Sequence, residues 1–229
     1  MSEAFVPSRW PELFDHAMAI IDQVNRNGLG LSDWSFGGGT ALMLQIDHRE
    51  SHDIDLFLSD PQYLPYLSPE AQDVWLTPSP SSYVTDGRRH LKIVYDGIGE
   101  IDFICCAPLT QRPTEPAVIN GWTVARELAA EIIAKKIVFR GASLQPRDLF
   151  DIAAASRFLG EGVLQNALTD FSAEARRALH VARAMDPDFA YSVISRLMIK
   201  PDYVGLESAA RIGAIRVLEG IVAGANSSP

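Results

Sequence analysis

Residues 37–57 read GGGTALMLQIDHRESHDIDLF: a glycine turn, a short apolar helical pattern, then a strand pattern in which Asp53 and Asp55 alternate with Ile54 and Leu56. Side chains alternate across a strand, so both aspartates project from one face while the aliphatic pair enters a core on the other. Carboxylates that close repel by roughly a few kcal/mol at an effective dielectric of about 20, so the pair calls for a cation. Carboxylate oxygens are hard ligands that suit Mg2+ or Mn2+, and Mg2+ is commonly held by one or two carboxylates together with substrate phosphates. A phosphate-bearing substrate is the expectation, set against the plainer reading of a solvated edge-strand face.

A second strand pattern, EIDFI, supplies Asp102 between inward-facing Ile101 and Phe103, with Glu100 on the Asp102 face. If the two strands pair, a third carboxylate joins the first two, enough to hold metal ions for in-line phosphoryl transfer. Gly37, Gly38 and Gly39 expose backbone N–H groups at a helix N-terminus, where phosphate oxygens are favoured. They fit neither the G-x-G-x-x-G nor the G-x-x-x-x-G-K-[ST] pattern, and a simple tight turn is their alternative explanation.

Around these residues the periodicity predicts a helix over about 10–27, a short strand WSFGG, a helix for which Thr40 is a candidate cap, and the strand DIDLFL. A proline-rich loop over about 59–81 precedes HLKIVYDG and IGEIDFICC, a hairpin-like pair, and then an extended piece, AVINGWTVA. From Glu127 the pattern turns helical: one helix ends at Gly141, the next starts behind Pro146, and at least three more fit between 162 and 221. Charge changes at the same place. Residues 1–126 carry 8 Lys or Arg against 17 Asp or Glu, whereas 127–229 carry 12 against 12. An α/β domain over 1–126 followed by a helical domain over 127–229 is the simplest division.

The net charge of −9 disfavours non-specific nucleic-acid binding. The sequence shows no leader-like start and no long apolar run, which predicts a cytoplasmic protein without a membrane span. Cys105 and Cys106, adjacent in sequence, read as buried reduced thiols.

These motifs resemble the AbiEii-type toxin family of minimal nucleotidyltransferases, within the polymerase-β-like superfamily. The resemblance rests on Gly-Gly-Thr-Ala-Leu, on His-Arg-x-Ser-x-Asp-Ile-Asp-Leu-Phe at 48–57, and on the helix that opens with Arg147 and Asp148 and carries Asp151. It implies an α+β fold, a nucleotidyltransferase-like N-terminal mixed sheet with flanking helices followed by a C-terminal helical bundle. It also implies Mg2+- or Mn2+-dependent transfer of a nucleoside monophosphate from a nucleoside triphosphate to an RNA acceptor, tRNA included, or to a protein. Asp53 and Asp55 would be metal ligands, and Asp102 would complete the metal site and assist deprotonation of the acceptor hydroxyl. Gly38, Gly39, Thr40, Arg49, Ser51, Lys136, Arg140, Arg147, Asp148 and Asp151 would serve substrate binding, with Lys135 competing for the place of Lys136. Family association further suggests the toxin of a toxin–antitoxin or phage-defence system with a cognate antitoxin.

Simpler roles compete with these. Asp148 suits a helix first turn, Asp151 is spaced to pair with Arg147, and Lys136 with Arg140 fits a solvated stripe. His48 and His52 lack a third ligand for zinc. A catalytically inactive nucleotide- or partner-binding module and an Asp-x-Asp glycosyltransferase are the rival functions. The acidity of the first half directs any RNA toward a modest basic stripe at Arg176, Arg177 and Arg183.

Overall fold

The computed structural model describes residues 7–68 and 79–225. In chain order the elements are α1 (Trp10–Arg26), β1 (Trp34–Gly37), α2 (Gly38–Ile46), β2 (Ile54–Leu58), α3 (Leu64–Leu67), β3 (Ser82–Thr85), β4 (His90–Tyr95), β5 (Gly99–Cys105), β6 (Thr114–Ile119) and β7 (Trp122–Glu127). Six helices follow: α4 (Ala129–Arg140), α5 (Pro146–Leu159), α6 (Glu161–Ala167), α7 (Ser172–Ala184), α8 (Pro187–Ile194) and α9 (Leu206–Gly224). The fold is α+β, a mixed sheet with helices and then a helical region. The chain divides into two compact units, residues 1–41, 51–108 and 114–127 in one, and 42–50, 109–113 and 128–229 in the other.

The first unit is built on a seven-stranded sheet in the order β3-β4-β5-β2-β1-β7-β6. At its centre β2 runs parallel to β5 and antiparallel to β1. Ile54, Leu56, Leu58, Ile101 and Phe103 are fully buried. Each such side chain contributes about 1.5–3 kcal/mol on leaving water, which fixes which face of β2 and β5 turns inward. Helix α1 presents Leu13, Phe14, Ala17, Ile20, Ile21 and Val24 at helical spacing and packs on β2 and β5. Phe14 meets Phe36 of β1 edge-on with ring centroids 5.1 Å apart. With the apolar face covered in this way, the aspartates are left on the other.

Several sequence expectations change in detail. The extended piece after 113 is a complete hairpin, β6–β7, closed by Asn120 and Gly121, both at positive φ as a tight two-residue turn requires. Strand β3 and the short helix α3 fall within or beside the stretch taken as a proline-rich loop, of which 69–78 lie outside the described residues. Thr40 is not a cap, because α2 already begins at Gly38. Cys105 and Cys106 are reduced thiols as expected but only partly buried.

In the second unit α9 packs along α5, α6 and α7, burying Ala210, Ala214, Val217, Leu218 and Ile221. Small residues allow the close approach to α5: a Cβ on Gly213 would stand 3.3 Å from that of Ala153. Residues 48–50 join this unit through backbone hydrogen bonds, Glu50 N–H to Met198 O at 2.9 Å and Lys200 N–H to His48 O at 3.0 Å. Helix α4 ends at Arg140 and α5 starts with Pro146 at its first position, as the pattern predicts. Among the described residues no helix is long and apolar enough to cross a membrane.

Candidate active site

The parallel register of β2 and β5 sets Asp55 directly beside Asp102. Side chains at matched positions of paired strands share a face, so the two carboxylates are neighbours. Asp53 stands one residue before β2, and its Oδ1 accepts the Glu100 N–H at 3.2 Å, which ties it to the start of β5. Asp53, Asp55 and Asp102 thus gather on the solvent-facing side of one strand pair.

The glycine turn is pressed against this group. Gly38 adopts φ +68, and a Cβ there would overlap the carboxylate of Asp55. Only glycine satisfies both demands, a left-handed backbone and a carboxylate packed against the α-carbon. Two residues on, the buried Thr40 hydroxyl donates to the carbonyl of Asp53, so the first turn of α2 holds the backbone from which that aspartate projects. Gly39 continues the same turn. Ser51, half-buried, accepts the Ser8 hydroxyl at its carbonyl at 2.6 Å.

Strand β4 brings a histidine and a lysine to the group. His90 Nε2 lies 2.6 Å from Asp102 Oδ1, while Lys92, directly opposite Asp102 in the antiparallel register, pairs with Glu100 and stands 3.8 Å from Asp102 Oδ2. Burial pushes the Asp53 carboxyl above its ordinary range, and the charges of Glu100 and Asp102 add to the rise against the opposing Glu100 N–H bond. For Lys92 burial works the other way, but Glu100 and Asp102 outweigh it and hold the ammonium charged. Among the described residues no group of three or more His, Cys, Asp or Glu is arranged to hold a metal ion, and Asp102 is in contact with His90. The donor chemistry suits a hard divalent cation: three carboxylates share a face, and burial, with the charges of Glu100 and Asp102, raises the Asp53 carboxyl.

The other sequence-predicted residues meet in the second unit. Arg49 grips Asp151 with two bonds, Nε to Oδ1 at 2.7 Å and the terminal nitrogen to Oδ2 at 2.9 Å. His48 Nε2 lies 2.9 Å from the same Oδ1. Lys136 Nζ completes the cluster at 2.7 Å from Asp148 Oδ1 and 3.0 Å from Asp151 Oδ2. Burial alone would raise both acids, yet the surrounding cations prevail. Lys136 and Arg140 lower Asp148, and Arg49 and Lys136 with the His48 bond hold Asp151 well below the carboxylate range.

Lys136, not Lys135, is therefore the lysine that faces the Arg-Asp motif; Lys135 turns to Glu131 at 3.7 Å. Asp148 and Asp151 are fully buried, so they act on Lys136, Arg49 and Arg140 and do not reach solvent themselves. Asp151 pairs with Arg49 instead of Arg147, which is exposed. Arg140 is half-exposed and 3.5 Å from Asp148.

Four residues with clear structural roles escaped the sequence reading. His90 and Lys92 had a usable signal, because HLKIVY alternates and a hairpin register would oppose Lys92 to Asp102. Glu127, which accepts the Ser35 hydroxyl at 2.7 Å, and Glu131, which takes the N–H groups of Leu109 and Thr110, are buried acids in helical or strand contexts that give no local sign of burial.

Solved structures similar in fold include the following. The toxin MenT4 of Mycobacterium tuberculosis H37Rv is similar at 17% identity and a TM-score of 0.50, with 92% of this chain and 85% of that one covered. A nucleotidyltransferase structure from H. pylori is similar at 16% identity and a TM-score of 0.46, covering 94% and 96%. The antibiotic-resistance factor ANT(2'')-Ia is similar at 16% and 0.49, covering 77% and 98%. No curated protein matches the chain. The model of the nucleotidyl transferase AbiEii toxin family, type IV toxin–antitoxin system, matches residues 26–203. With most of its length so matched, and with the glycine turn, the β2 aspartates and the Lys136 cluster all inside that span, the chain belongs to the AbiEii family of nucleotidyltransferase toxins.

Proposed function

We propose that the protein transfers a nucleoside monophosphate from a nucleoside triphosphate to a hydroxyl of RNA or protein, with Asp53, Asp55 and Asp102 as the catalytic carboxylates. The observation that supports this reading is that Asp55 stands beside Asp102 in the β2–β5 register, with Asp53 tied to the start of β5 and Gly38 packed on the Asp55 carboxylate. Membership of a nucleotidyltransferase toxin family removes the glycosyltransferase alternative and implies a nucleotide substrate and an antitoxin partner.

Asp53, Asp55 and Asp102 would hold Mg2+ or Mn2+, which when bound neutralises phosphate charge and the mutual repulsion of the acids. The protein's own work is positional. Gly38 leaves room for Asp55, Thr40 fixes the backbone at Asp53, and Asp102, held by His90, would assist deprotonation of the acceptor hydroxyl. The turn of Gly38 and Gly39 at the start of α2 presents N–H groups suited to phosphate oxygens. In the second unit Asp148 and Asp151 are positioning residues that hold Lys136, Arg49 and Arg140 in a fixed array suited to anionic substrate groups. Arg147 and Ser51 keep the substrate-binding roles that the family resemblance implies. The cytoplasm is the compartment in which nucleotide and acceptor meet.

The test is incubation of the purified chain with each labelled nucleoside triphosphate, Mg2+, and total RNA or total protein. Label in either acceptor, lost in Asp53→Asn, supports the reading. Label in neither acceptor with any of the nucleotides would leave the inactive binding module in its place.

A further inference from the structure

The turn between β3 and β4 carries two adjacent basic side chains, Arg88 and Arg89, that make no ion pair with another described residue. That unit has 6 Lys or Arg against 16 Asp or Glu, counted over 1–41, 51–108 and 114–127. Four of the six are spoken for: Arg9 pairs with Glu12, Arg26 with Asp22, Arg126 with Glu115 and Lys92 with Glu100. Arg88 and Arg89 are exposed, and neither makes an ion pair or side-chain hydrogen bond among the described residues. In so acidic a surrounding, two adjacent exposed arginines with no carboxylate partner among the described residues are cations available to an outside anion.

The turn is held in place from within. Asp86 Oδ1 accepts the backbone N–H groups of Arg89 at 2.7 Å and of Arg88 and His90 at 2.9 Å, which keeps its carboxyl down at about 2. Asp86 N–H and the Thr85 hydroxyl both donate to the His90 carbonyl. With the backbone satisfied internally, the guanidinium groups are free to face solvent. Cys105 N–H donates to Arg89 O at 2.7 Å, so the turn is fastened to β5 three residues beyond Asp102. At strand rise this is about 10 Å along the sheet, on the order of the spacing between successive or next-nearest phosphates of a nucleic-acid strand. His90, the next residue, lies on the Asp102 face and touches that carboxylate.

We propose that Arg88 and Arg89 bind the phosphate backbone of an RNA acceptor and lead its hydroxyl end toward Asp102. This rests on the nucleotidyltransferase reading above and narrows its acceptor to RNA, because a protein hydroxyl brings no phosphates for these arginines to meet. The stripe expected at Arg176, Arg177 and Arg183 is a weaker candidate, since Arg177 pairs with Glu174 and Arg183 with Glu219.

The experiment measures binding of the full chain to a fluorescein-labelled single-stranded RNA of mixed sequence, about 20 nucleotides long, without divalent cation or nucleotide, across a salt series. Arg88→Ser with Arg89→Ser should weaken binding about tenfold and make the slope of log affinity against log salt shallower by about 1.4, two contacts at roughly 0.7 each. Arg88→Lys with Arg89→Lys should restore most of both. In transfer assays the serine pair should raise KM for RNA about tenfold while kcat and KM for the nucleotide stay unchanged, because the change touches backbone contacts alone. Equal affinity and equal slope for wild type and the serine pair would overturn the proposal, as would wild type that labels protein and ignores RNA. Absence of transfer to any acceptor is a different failure, that of the catalytic reading, and binding measured without cation or nucleotide tells the two apart.

Discussion

Asp55 and Asp102 occupy matched positions on the adjacent parallel strands β2 and β5, so two acids that are 47 residues apart in sequence lie side by side on one face. The sheet buries Leu56 and Phe103 directly behind them, which gives neither carboxylate a way to turn inward. Their repulsion is therefore built into the register.

Removing the Asp53 charge should relieve its repulsion with Glu100 and Asp102 while disabling the chemistry. Asp53→Asn is expected to lower transfer by about 10³-fold or more, and to leave the thermal midpoint unchanged or raised by about 2–4 °C, the shift that roughly 1 kcal/mol gives in a chain of this size. The carboxamide oxygen can still accept the Glu100 N–H. Rate measurement with differential scanning calorimetry checks both parts; a lower midpoint would mean that the acid is structural.

Gly38 answers to the backbone and to Asp55 together. Gly38→Ala places a methyl group where the Asp55 carboxylate lies and forces a left-handed conformation on a residue that resists it. A cost of about 1–3 kcal/mol in stability and a loss of at least about 100-fold in transfer are expected, read by denaturant melts and initial rates. Gly28→Ala, with positive φ but nothing near its Cβ, should cost stability alone.

The buried cluster of the second unit should behave as an all-or-none charge network. Lys136→Met leaves Asp148 and Asp151 without a shared cation and should cost about 3–5 kcal/mol in urea unfolding. Lys135→Met, which removes a longer contact to Glu131, should cost less.

The pH dependence has a definite sign. Asp151 and Asp148 titrate below their unfolded range, so their stabilisation is complete above the unfolded value of about 3.9 and is lost as pH falls through the folded values. Wild-type unfolding free energy should drop between about pH 5 and pH 3. Asp151→Asn, already destabilised at neutral pH, should lose less over that interval. A parallel fall in the two proteins would contradict the assignment.

The sheet strands with alternating patterns, β2, β4 and β5, were legible in the sequence because one face of each is buried and a period of two records it. Helices α1, α4 and α5 were legible through spacing and through Pro146. Strand β3, with three residues exposed and only Tyr83 partly covered, has no such record. For the site, Asp53 and Asp55 share a face that alternation alone predicts and Asp102 joins it through the pairing of β2 with β5, whereas the partners of Asp151 do not follow from local spacing. Arg147 is the near neighbour in sequence, but His48 and Arg49 arrive from about 100 residues away through the stitching of 48–50 to 198–200. Long-range pairing of this kind leaves no periodic trace.

The most direct test of the carboxylate centre is calorimetric titration of Mn2+ into the protein in the presence of a non-hydrolysable nucleoside triphosphate, with Asp102→Asn alongside. The account predicts saturable uptake by wild type and its loss in the variant. No uptake by wild type, or equal uptake by both proteins, would contradict it.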